Sequence, residues 1–84
     1  MSDNTNGVTF YWRQGCGFCT RLHRGLSNHG VTLDMRNIWE DPAHAAVVRS
    51  VAGGNETVPT VLVGNVAMVN PSVDQVIAVM HQGK

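Results

Sequence analysis

The two cysteines of this chain, Cys16 and Cys19, stand two residues apart between two segments of opposite character. Before them runs Val8-Thr9-Phe10-Tyr11-Trp12, too short for a helix and too apolar for a surface strand. It reads as a buried parallel strand. After them Phe18, Leu22 and Leu26 recur at helical spacing, with Gly30 where a C-terminal cap belongs. A helix over 17–29 is predicted, with Cys16 at its N-terminal mouth. A chain that places Cys-x-x-Cys between a strand and a helix has few folds open to it.

Such a pair can be a staple, part of a metal site, or a reactive dithiol. A stabilising disulfide normally closes a long loop in a secreted chain, and this one would enclose two residues. Zinc needs four ligands, and His23, His29, His44 and His81 are scattered, so no metal ligands are assigned. Thiol chemistry remains, and the position supports it. Unpaired N–H groups and the positive end of the helix dipole meet at the first turn and favour a thiolate at Cys16, the form that attacks disulfides. Arg13 adds a fixed positive charge three residues earlier. Cys19 lies one turn inward, more buried and less acidic, which suits a resolving thiol. Gly17 makes the loop soft and admits close approach to Cys16. Phe18 reads equally as core and as a wall of the site.

Further along, Val31-Thr32-Leu33-Asp34-Met35 alternates as a strand does, and Asp41-Pro42 starts a helix that runs to Ala52 and partly buries Val47, Val48 and Val51. Thr60–Val63 and Val66–Val69 flank Gly64-Asn65 as a hairpin, and Asn70-Pro71-Ser72 opens a last helix that ends before Gly83. Ser72 can cap that helix or donate to a ligand. The order is β-α-β-α-β-β-α, an α/β fold with helices as crossovers for parallel strands and a four-stranded mixed sheet flanked on both faces. The 84 residues form a single domain, with residues 1–7 as a polar lead-in.

Six basic residues balance six acidic ones, which argues against nucleic acid or an anionic membrane as partner. No apolar run approaches the ~18 residues of a transmembrane helix, and the first residues lack the charge and apolar core of a signal peptide. A cytoplasmic monomer is expected.

The order of elements, "CGFC" after the first strand and "TVPT" before the third resemble the thioredoxin-fold redoxins, and within them the glutaredoxin-like proteins. Together "GCGFC", "GGNETVPTV" and "NPSVDQV" are most similar to the mycoredoxins of actinobacteria, which use mycothiol in place of glutathione. The resemblance implies that Pro59 is cis and that Val58, following Thr57, offers its backbone to the substrate. It implies that Arg13, Gly17, Phe18, Thr57, Val58, Pro59 and Ser72 surround the bound thiol, with Arg13 on an anionic group.

The reaction implied is monothiol: Cys16 takes mycothiol from a protein–mycothiol mixed disulfide, and a second mycothiol releases it. Mycothiol is then a co-substrate, regenerated by the NADPH-dependent mycothione reductase, and no cofactor is tightly bound. Cys19 serves an intramolecular disulfide as a side state or alternative route. Two other readings stand beside this one. One is a dithiol electron donor fed by thioredoxin reductase. The other is a [2Fe–2S] carrier, since "CGFC" differs in its last residue from the "CGFS" of the cluster-binding class.

Overall fold

The computed structural model describes residues 7–82. Most of the lead-in and the stop at Gly83 lie outside the described residues. The elements are β1 (Val8–Trp12), α1 (Gly17–Asn28), β2 (Leu33–Asn37), α2 (Pro42–Val51), β3 (Thr60–Val63), β4 (Val66–Val69) and α3 (Val73–Gln82). They follow the expected β-α-β-α-β-β-α order and build one four-stranded mixed sheet in the order β2-β1-β3-β4.

β1 is an inner strand because its residues are apolar toward both faces. Val8 and Phe10 enter a core with Cys19, Leu22 and Leu26 of α1, Val61 of β3 and Val76 of α3. Tyr11 enters the opposite core with Ile38 and with Ala45 and Val48 of α2. Thus α1 and α3 cover one face and α2 the other. Val48 is fully buried while Val51 is exposed, so the inward face of α2 runs through Ala45 and Val48 rather than reaching Val51.

Two expectations are corrected. β1 and β2 are parallel, but β3 runs antiparallel to β1, so α2 is not a crossover between parallel strands. The segment after α2 brings the chain to the end of the sheet where β1 finishes, and β3 starts there. The second strand also begins later than its alternation suggests. Gly30, at φ 76°, donates to the Ser27 carbonyl and Val31 to that of Leu26, which closes α1 in a Schellman motif. Val31 is therefore committed to the helix end, and pairing starts with Leu33 opposite Val8.

α3 begins with a capping box. Gln75 N–H donates to Ser72 Oγ at 3.1 Å, and Ser72 N–H donates to Gln75 Oε1 at 2.7 Å. Its first turn presses Val73 against α1 at Gly25, where a Cβ would stand 2.5 Å from Val73 Cγ2. Glycine is what allows the two helices to meet there.

Candidate active site

Cys16 is the N-cap of α1, with extended backbone at φ −91°, ψ 103°. Its sulfur takes the place usually held by a Ser or Asp oxygen, and Cys19 N–H donates to Sγ at 3.2 Å. The preceding turn relies on Gly15 at φ 79°, a conformation that disfavours a side chain. Gly17 has no such requirement, and a Cβ there would meet nothing within 4 Å. The space beside the nucleophile candidate is open.

The two thiols are unbridged and unequal. Cys16 is half-buried, whereas Cys19 is 3% exposed and belongs to the core against Phe10 and Leu22. Burial pushes the Cys19 thiol up to about 12, reinforced by its hydrogen bond to Cys16 and by the Cys16 charge. The backbone and charge of Arg13 act in the opposite direction. One sulfur is reachable from solvent, and its neighbour stays protonated behind it.

Facing this pair is the segment before β3. Val58 and Pro59 are joined by a cis peptide bond, Pro59 is buried, and Cys16 Sγ lies 3.7 Å from the Val58 carbonyl. The Thr57 carbonyl accepts from Thr60 Oγ1 at 2.8 Å, which ties the loop to a residue that is fully buried. The Pro59 carbonyl accepts from Asn70 N–H at 2.7 Å, so the residue that follows β4 braces the same loop.

The remaining residues expected around the thiol fall into three places. Phe18 is 62% exposed, with the Arg21 guanidinium 5.9 Å from its ring centroid. It is therefore not core: Cys19, Leu22 and Leu26 fill the inward face of α1, and Phe18 is rotated outward. Arg13 lies over the indole of Trp39, its Cζ 5.6 Å from the ring centroid. Ser72 sits in the capping box of α3, exposed, with its hydroxyl accepting from Gln75.

Sequence reasoning left Trp39 without an assignment and did not foresee its stacking on Arg13. The signal available was a tryptophan in the polar turn "NIWED", because parallel pairing brings the ends of β1 and β2 side by side. A cavity of about 330 Å³ also lies between α1 and the β1–β2 edge, lined by Phe10, Trp12, Cys19, Thr20, His23 and Met35. It includes Cys19 and not Cys16, so it opens on the buried thiol's side. Among the described residues no cluster of three or more His, Cys, Asp or Glu could hold a metal ion, and no helix is long and apolar enough to cross a membrane.

The sequence matches the glutaredoxin family over residues 8–68, from β1 into β4. A Mycobacterium tuberculosis protein named as a glutaredoxin is 40% identical over 73 residues, spanning 86% of this chain and 87% of its own. Among solved structures, the glutaredoxin-like NrdH-redoxin of Escherichia coli superposes with a TM-score of 0.73 at 27% identity, over 84% of this chain and 91% of that one. Glutaredoxin from Brucella melitensis gives 0.65 at 26% identity, over 93% and 82%. The buckwheat glutaredoxin–glutathione complex gives 0.66 at 23% identity, over 96% and 74%, and shows the shared fold. These likenesses cover the strand, the cysteine pair and the helix that present the two thiols, and the chain belongs to the glutaredoxin family, the thiol oxidoreductases built on a thioredoxin-like fold.

Proposed function

We propose that this protein reduces protein–mycothiol mixed disulfides by a monothiol reaction at Cys16. The observation that carries the reading is the inequality of the two sulfurs: Cys16 is reachable and capped by a backbone donor, while Cys19 is buried with its thiol raised to about 12. The Cys16 thiolate attacks the mycothiol sulfur of the mixed disulfide. The old S–S bond breaks, the protein thiolate leaves and takes a proton, and a Cys16–mycothiol disulfide forms. A second mycothiol thiolate then attacks the mycothiol sulfur, releasing Cys16 as thiolate and giving mycothiol disulfide. Two electrons from NADPH, delivered by mycothione reductase, regenerate mycothiol.

In this reading Val58 pairs its backbone with the incoming disulfide, Pro59 and Thr57 hold that loop beside Cys16, and Gly17 leaves room above the sulfur. Phe18 forms an outer wall, Arg13 lies at the rim, and Ser72 stands at the far side. Mycothiol is favoured over glutathione by the three sequence motifs and by relatives from a mycobacterium. The protein works as a cytoplasmic monomer.

The test is to incubate reduced Cys19→Ser protein with equal amounts of a mycothiol and a glutathione mixed disulfide and to read the adduct by intact mass. A mycothiol adduct on Cys16 is expected. A glutathione adduct keeps the nucleophile and removes the mycothiol assignment.

A second reading, a dithiol electron donor fed by thioredoxin reductase, is favoured by one likeness. The NrdH-redoxin of Escherichia coli is described as having a thioredoxin-like activity profile. That route needs both thiols, so Cys19→Ser would end it.

A further inference from the structure

Trp39 has no part in the reaction above, yet it is 61% exposed beside the site. Its turn is braced from both sides. Ile38 N–H donates to the Trp12 carbonyl and Trp39 N–H to Asn37 Oδ1, each at 2.9 Å, and Ile38 and Asn37 are themselves buried. The indole is thus presented to solvent by a fixed turn at the carboxyl ends of β1 and β2. The cysteine pair follows β1 at that same end.

Arg13 covers part of the indole and has no carboxylate partner among the described residues. With its Cζ 5.6 Å from the ring centroid, the guanidinium keeps N–H donors available for a group that settles beside the indole. The same turn continues into exposed Glu40 and Asp41. Glu40 follows Trp39 directly and its charge disfavours an anionic group arriving there, while the Asp41 carboxylate is committed to α2, where it accepts from Ala43 N–H at 2.9 Å. The Glu40 carboxylate is an acceptor for hydroxyls instead. An apolar face, N–H donors and a neighbouring acceptor together suit a neutral ring with C–H bonds on its face and hydroxyls around its edge.

We infer that Trp39 and Arg13 form a subsite for the neutral sugar ring of the thiol co-substrate. This rests on the mycothiol reading and names the group that gives it selectivity. Mycothiol is a pseudodisaccharide, so the ring stacks on the indole and its hydroxyls accept from Arg13, while a carboxylate-bearing thiol meets Glu40.

Two measurements test this. The first follows the indole N–H resonances of the reduced protein during titration with the cysteine-free pseudodisaccharide of mycothiol, the Trp39 signal being assigned by its loss in Trp39→Phe. A saturable shift of the Trp39 signal is expected, and no shift at millimolar ligand overturns the subsite. The second compares turnover of mycothiol and 2-hydroxyethyl mixed disulfides, the latter carrying no sugar, with sugar-free 2-mercaptoethanol in place of mycothiol as the releasing thiol. Trp39→Ala should raise KM for the mycothiol adduct about tenfold with kcat nearly unchanged, leave the hydroxyethyl adduct unaffected, and be partly rescued in Trp39→Phe. Equal losses on both adducts would show that Trp39 only shapes the turn. If the unaltered protein accepts glutathione adducts and ignores mycothiol, the proposed function fails. The subsite is then judged on the indole shift alone.

Discussion

The backbone N–H of Cys19 donates to Cys16 Sγ at 3.2 Å, so the residue that supplies the second thiol also caps the first through its main chain. A side-chain change at Cys19 leaves that donor in place. Cys19→Ser is therefore expected to retain most monothiol turnover, while Cys16→Ser loses about 10³-fold or more because a hydroxyl at this position is not ionised. Steady-state assays with a low-molecular-weight mixed disulfide check both, and activity surviving in Cys16→Ser would displace Cys16 as the nucleophile.

Stability should fall in alkali through Cys19. Its thiol is raised from 9.0 to about 12 in the fold, mainly by burial. The unfolded chain therefore loses this proton first as pH rises above 9, and between there and pH 12 the native state binds more protons. The stabilisation is complete below the unfolded value and is lost with a slope of up to ~1.4 kcal/mol per pH unit. Denaturant melts of reduced protein from pH 8 to 11 measure the slope. Cys19→Ala should flatten it, and an unchanged slope would place the titrating group elsewhere.

The contact between α1 and α3 should resist even one methyl group. Alanine at Gly25 gains up to ~1 kcal/mol of helix propensity, but its Cβ would stand 2.5 Å from Val73 Cγ2. Overpacking of this kind costs about 1–3 kcal/mol, so Gly25→Ala should lower Tm. Adding Val73→Ala removes the methyl it strikes. The double mutant should then be more stable than additivity predicts, and thermal melts of the four proteins in the cycle decide it.

Ser72 separates stability from binding. Its hydroxyl accepts from Gln75 N–H, so Ser72→Ala should cost about 1 kcal/mol through the lost cap. KM for the mixed disulfide is expected to stay within about twofold of the unaltered protein, since the hydroxyl already serves the helix. A large rise in KM without a matching fall in Tm would make Ser72 a ligand contact instead.

Sequence alone determined the elements and the place of the cysteine pair. The five-residue apolar run, the helical spacing behind Cys16, Asp41-Pro42 at the start of α2 and Gly64-Asn65 between β3 and β4 act within a few positions along the chain. Their geometry is local, so pattern and capping rules reach it. Even inside α1, however, whether Phe18 joins the inward face beside Cys19 was left open by its spacing and was settled by the sheet, which covers the Cys19 side and leaves Phe18 outward.

Tertiary structure decided the rest. The antiparallel direction of β3, the Val58 carbonyl 42 residues from Cys16 yet 3.7 Å from its sulfur, and Arg13 on Trp39 each join segments far apart in sequence. Spacing rules cannot reach such pairs, because they follow from how the strands align once both faces of β1 are buried.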